Sequence, residues 1–150
     1  MTTRSRGRTV RVERRVEASR EAVYEYLTDS TKWARWQGAS AAVDAVPGGV
    51  FGMTMPNGMQ ASGAFVELVP NRRVVFTWGW HGHPSLPPGS SIVTIDLLED
   101  GAATVVRLVH DGLPTEERAV HETGWRHYLP RLGTAAVGGD PGTDPGPAPR

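Results

Sequence analysis

Five histidines, five tryptophans and no cysteine frame the chemistry open to this chain. Without thiols there are no disulfides, no thiolate metal sites and no cysteine nucleophile. His81-Gly82-His83 is the one pair of imidazoles at close spacing, and with a carboxylate nearby in space it could hold a metal. No third ligand follows in sequence and the flanks are Gly and Pro, so the stretch reads as a solvent-exposed loop. His110 ends an alternating apolar run and His121 stands one helical turn before Trp125. Each alone reads as a satisfied interior histidine. Facing one cavity together, neutral imidazoles could orient a ligand's hydroxyl or carbonyl and exchange a proton near about pH 6.5. Glu117, four residues before His121, could orient that ring, although an exposed pair at this spacing is the ordinary reading. Gly-x-Ser-x-Gly, a phosphate loop and a dinucleotide fingerprint are all absent, so no catalytic residue, metal or cofactor is assigned.

The element that must position His121 is the long amphipathic stretch 112–137. Thr115 is expected to cap it, with Glu116 and Glu117 at the positive end of the helix dipole. His121, Trp125, Tyr128, Leu132 and Ala136 then recur at spacings of four, three, four and four, which puts them on one face. Gly124 costs about 1 kcal/mol against Ala in a helix interior, so a close approach to another element is expected there. Pro130 should kink the helix near its preceding turn.

Upstream, a strand at 9–17 carries Val10, Val12 and Val16 on one face. Ser19 opens a short helix with Val23, Tyr24 and Leu27 inward, and Asp29 caps a second one bearing Trp33 and Trp36. Between 39 and 110 the chain becomes runs of β-branched, aromatic and Met residues separated by Gly, Pro and Asn, which predicts an antiparallel sheet. Strands are expected near 39–46, 49–55, 59–69, 72–80, 90–98 and 103–110, joined as hairpins. Alternation gathers Phe51, Met53 and Met55, then Val74, Phe76, Trp78 and Trp80, then Val93, Ile95 and Leu97, then Val106, Leu108 and His110 on inward faces.

The 150 residues suit one domain, and sixteen basic residues balance sixteen acidic ones. Nothing in that charge steers the chain to nucleic acid, and the Arg-rich start reads as a solvated, mobile arm over 1–7. No apolar run approaches the ~20 residues of a membrane span and no signal-peptide core is present, so a cytoplasmic protein is expected. The Gly, Pro and Asp-rich stretch 138–150 offers no apolar side chains and reads as a disordered tail that adds nothing to the core.

Strand, two short helices, six hairpin-linked strands and a long final helix: in this order the chain resembles the helix-grip fold of the START-like, or SRPBCC, superfamily. More narrowly, Pro47-Gly48-Gly49-Val50-Phe51, Gly63 followed by Val66-Glu67-Leu68, Pro70 with Arg72 to Trp78, Ser91 to Thr94, Thr104, His110 and Gly124-Trp125 are similar to the subfamily named after the activator of the ninety-kilodalton heat-shock protein's ATPase. The resemblance covers residues 8–137. It implies an α+β fold in which a curved antiparallel sheet of about seven strands wraps a long C-terminal helix over a deep cavity. The superfamily binds lipids, sterols, hormones and polyketides, and only some members catalyse a reaction. The co-chaperone behind the subfamily's name resembles a longer protein with a further N-terminal domain, so its role is not expected to carry over.

On this reading Trp36, Phe51, Met53, Trp78, Trp80, His110, His121, Trp125 and Tyr128 line an apolar pocket for a hydrophobic or aromatic small molecule, in a monomer or homodimer. A cyclase or aromatase acting in the same cavity, and a protein-interaction domain acting through an outer strip of Ala64, Val66, Val105 and Val109, are the alternatives.

Overall fold

The computed structural model describes residues 9–147. The arm expected over 1–7 and the last three residues of the tail lie outside the described residues. Strands β1 (Val10–Val16), β2 (Ser40–Val43), β3 (Val50–Thr54), β4 (Gln60–Val69), β5 (Arg73–Trp78), β6 (Ser91–Asp100) and β7 (Ala103–Asp111) form one antiparallel sheet in the order β1-β7-β6-β5-β4-β3-β2. Helices α1 (Arg20–Tyr26) and α2 (Ser30–Trp33) follow β1, and α3 (Thr115–Ala136) closes the fold. This is the helix-grip arrangement expected from the order of elements.

Period-two alternation explains why the sheet has one dry face. Val93, Ile95 and Leu97 of β6 and Val106, Leu108 and His110 of β7 are buried, while their neighbours face outward. Between Phe65 and Glu67 the β4–β5 register shifts, and the extra residue, Val66, points into water at 50% exposure. Ser19 Oγ accepts from the Ala22 amide and Asp29 Oδ1 from the Lys32 amide, so both short helices start where their cap residues stand.

Trp33 and Trp36 plug one end of the core. They stack at 5.2 Å, and Trp33 continues into Phe51 and Phe76 at 5.1 and 5.6 Å. Trp33 Nε1 donates to Gln37 Oε1 at 2.9 Å and Trp36 Nε1 to the Tyr26 carbonyl at 3.0 Å, so both polar tips are satisfied without solvent.

Three local expectations need correction. Thr115 is the first helical residue of α3 and Pro114 holds the cap position without a side-chain bond, because proline's fixed φ suits the entry and its missing N–H is one the helix end does not use. No element approaches Gly124: a Cβ built there meets nothing within 4 Å, whereas at Gly133 it meets Val16 Cγ2 of β1 at 3.4 Å. The close approach is therefore one face further down the same helix, which runs on through Pro130. Finally, residues 138–147 turn back along α3. Arg131 donates from Nε to the Trp36 carbonyl, from Nη1 to the Pro141 carbonyl and from Nη2 to the Gly142 carbonyl, at 3.1, 3.0 and 2.8 Å. The Asp144 carboxylate, 8% exposed as a residue, accepts from the Gly38 amide and pairs with His127 Nε2, each at 3.1 Å. Polar anchoring replaces the apolar side chains that this segment lacks.

Candidate functional site

Between β5, the turn after β3 and the first half of α3 lies a cavity of about 450 Å³. Trp78 and Trp80 form its sheet side, His121, Trp125 and Tyr128 its helix side, and Met55 and Met59 one end. Gly124 opens toward it, and the missing side chain makes part of its volume. Pro145, Gly146 and Pro147 close the far wall, which is what the Arg131 and Asp144 anchors achieve.

Five residues expected to converge there do so: Trp78, Trp80, His121, Trp125 and Tyr128. Trp36, Phe51 and Met53 are buried in the core and do not line the cavity, and His110 lies in a layer behind Trp125. Alternation assigned Phe51, Met53 and His110 to the correct face, and helical spacing did the same for Trp36, but neither could say how deep each would sit. Sequence reasoning passed over Met59, Glu117 and His83 as lining residues. The signal for His83 was Leu86, the fully buried residue that anchors an otherwise exposed loop. Of the expected loop pair, His81 is exposed and bonds Ser62, while His83 turns inward and its Nε2 lies 3.1 Å from Glu117 Oε2. No group of three metal-ligating side chains occurs among the described residues.

Indole N–H groups donate only, and this fixes both interior imidazoles. Trp80 Nε1 donates to His121 Nε2 at 3.0 Å, so His121 carries its proton on Nδ1 and gives it to the Glu117 carbonyl at 2.8 Å. Trp125 Nε1 donates to His110 Nδ1 at 3.0 Å, so His110 Nε2 donates to Ser91 Oγ at 2.8 Å, and Ser91 passes a bond on to the Trp78 carbonyl. A second proton on either ring would have to displace a tryptophan. Burial, followed by the field of His121, holds His110 well below the ordinary histidine range; burial also lowers His121, against opposing help from Glu117.

Two buried polar atoms among the described residues have no hydrogen-bond partner, Trp78 Nε1 and Tyr128 Oη, and both belong to cavity-lining residues. Burial and then the nearby Asp144 carboxylate push the tyrosine's ionisation upward. Asp144 lies close enough to act on that hydroxyl, so Trp78 is the clearer orphan. Leaving such a group unpaired costs about 1–3 kcal/mol.

The sequence model described as "Activator of Hsp90 ATPase homolog 1-like protein" matches residues 17–136. The chain belongs to this family. It is 28% identical over 111 residues to the human activator of 90 kDa heat shock protein ATPase homolog 1, covering 73% of this chain and 31% of the human protein. The chain thus spans about a third of the length of the curated relatives it matches. Among solved structures, the AHSA1-like protein from Rhizobium etli is 44% identical with a TM-score of 0.70, over 95% of this chain and 89% of that one. DynU16, from the dynemicin biosynthetic locus, shares the fold with a TM-score of 0.76 at 24% identity, over 89% of this chain and 48% of its own. Among the described residues of this AHSA1-like protein, no helix is long and apolar enough to cross a membrane.

Proposed function

We propose that this AHSA1-like domain is a binding module that holds a hydrophobic or aromatic small molecule between β5 and the first half of α3. The observation that carries this reading is the cavity of about 450 Å³ walled by three indoles, a phenol and two thioethers. Preformed ligand sites typically enclose about 300–1,000 Å³, and rigid planes beside flexible thioethers suit an adaptable apolar site. The partnerless Nε1 belongs to Trp78, a residue of that lining, and is a cost that a core built for stability alone would avoid.

Binding is favoured over cyclase-type chemistry by the histidines. Every ring nitrogen of His110 and His121 is committed to a protein partner, which leaves neither an open lone pair for taking a substrate proton. The interaction-domain alternative loses its strip: β4 and β7 are separated by β5 and β6, whose outward residues include the charged Arg73 and Asp96.

Gly124→Leu tests the proposal. The new side chain enters empty space, so the protein should remain folded by circular dichroism while tryptophan-quenching titrations with apolar aromatics, saturable for the native chain, lose at least ten-fold in affinity. Unchanged binding in a folded Gly124→Leu protein would place the ligand elsewhere.

A further inference from the structure

Among the described residues, the one Asp, Glu, Lys or Arg side chain that lines the cavity is acidic. Glu117 lines it, and no Lys or Arg does among the described residues. Behind the wall, Asp144 stands directly before the lining Pro145 and is faced by Arg131, which is bonded to the carbonyls of Trp36, Pro141 and Gly142 and acts on the Tyr128 hydroxyl in the opposite sense to Asp144. Two imidazoles stand beside Glu117. His83 Nδ1 accepts from the Leu86 and Ser85 amides at 3.1 and 3.3 Å, so its proton sits on Nε2 and points at Glu117 Oε2. His121 Nδ1 lies 3.7 Å from Glu117 Oε1, but its other nitrogen is taken by Trp80. Both rings therefore present an N–H toward Glu117 and use the other nitrogen to accept from a protein donor. What remains is a carboxylate, 19% exposed, at the rim of a chamber whose walls are the rings of Trp78, Trp80, Trp125 and Tyr128.

Aromatic faces carry negative charge density and attract cations, most strongly at Trp, and they do so better where water is thinned out. A carboxylate at the mouth supplies the directional partner for an ammonium N–H. An anionic ligand finds the reverse: no Lys or Arg among the described lining residues to receive it, and Glu117 in the lining to repel it.

We propose that the ligand of this cavity is an apolar or aromatic amine, bound as its ammonium with the charge against Glu117 and the apolar body among the indoles. This rests on the reading of the cavity as a ligand site and specifies the ligand's charge. Fatty acids and aromatic carboxylates are then poor ligands despite their apolar bodies, and the selection is made by Glu117.

A matched series separates the two claims: 1-naphthylmethylamine, 1-naphthalenemethanol and 1-naphthoate, titrated into the full chain by calorimetry at pH 8. The three share one apolar body and differ in charge. The amine should bind about 10- to 100-fold more tightly than the alcohol, and the carboxylate least of all. In Glu117→Gln the amine should fall to within about three-fold of the alcohol, whose own affinity should move by less than about three-fold. Equal affinities across the series, or a carboxylate that binds best, would overturn the charge assignment while leaving the cavity as a binding site. Failure of all three to bind would remove the binding reading and this inference with it. The ranking is measured in the native protein, so it stands even if Glu117→Gln is poorly folded; Glu117→Asp, which keeps the charge, should then retain the amine preference.

Discussion

The two halves of α3 solve different problems with the same residue type. Over its first half, Gly124 faces space and contributes volume to the cavity; over its second, Gly133 lets the helix settle against Val16 of β1. Leu129, Leu132 and Ala135 are buried in the second half, whereas His121 and Trp125 in the first are buried but tied down by hydrogen bonds at ring nitrogens. One half is held by close packing, the other by polar bonds around a hole. A glycine in a helix therefore signals missing volume, and only the partner element tells whether the volume is filled.

The largest effect should come from the packed half. Leu132→Ala removes a fully buried side chain, and a loss of about 2–5 kcal/mol in urea unfolding is expected, with ligand affinity kept within about two-fold. Acid should act on the other half. His110 and His121 have folded-state values below the ordinary one, so below about pH 6.5 the unfolded chain binds more protons than the native one. Stability is therefore complete above about pH 7 and is lost as pH falls below 6.5, by up to about 1.4 kcal/mol per pH unit for each histidine. Hydrogen exchange at pH 5.5 should show amides of 117–125 opening before those of 129–136, and simultaneous opening would erase the distinction between the halves.

The glycines themselves sharpen it. Gly133→Leu forces a side chain into Val16 and should cost about 1–3 kcal/mol, while Gly124→Leu should be neutral or gain up to about 1 kcal/mol from helix propensity. Equal thermal shifts for the two would show that the space beside Gly124 collapses freely. The smallest effect belongs to Arg126→Ala, between the halves: its guanidinium is 60% exposed and pairs with Glu122, so a change under ~0.5 kcal/mol is expected.

The contrast also marks what could be read from the sequence. Alternation and caps place the strands and short helices because each inward position is decided locally, by the residue two or four away. Depth is not local. Trp36 and Phe51 share apolar character with Trp78, yet stacking onto Trp33 and Phe76 drew the former into the core. The return of 138–147 was illegible for a related reason: apolar periodicity has nothing to say about a segment held by Arg131 on backbone carbonyls and by one buried carboxylate. The locked tautomers are likewise invisible in sequence, since they depend on indole N–H groups arriving from 41 and 15 residues away.

On the outer face, Glu13, Arg107, Asp96 and Arg73 stand side by side across β1, β7, β6 and β5, with Glu67 of β4 on the diagonal from Arg73; they alternate in sign, with Arg107 bonded to Glu13 and Arg73 to Asp96. As exposed pairs they are each worth only about 0.2–1 kcal/mol. Their use is in fidelity of assembly. A one-residue slip of a strand is rejected by the core, because it turns every apolar side chain to water, but a two-residue slip keeps the faces and passes that check. Hairpin turns prevent it between neighbours in sequence. Strand β1 has no such turn: it must find β7 some ninety residues later, Arg107 standing 94 positions after Glu13. There Thr9 on Asp111, Glu13 on Arg107 and the Ala18 carbonyl on Thr104 give three marks along one seam, at 2.7, 2.6 and 2.7 Å, and a chain that closed two residues out of step would match none of them.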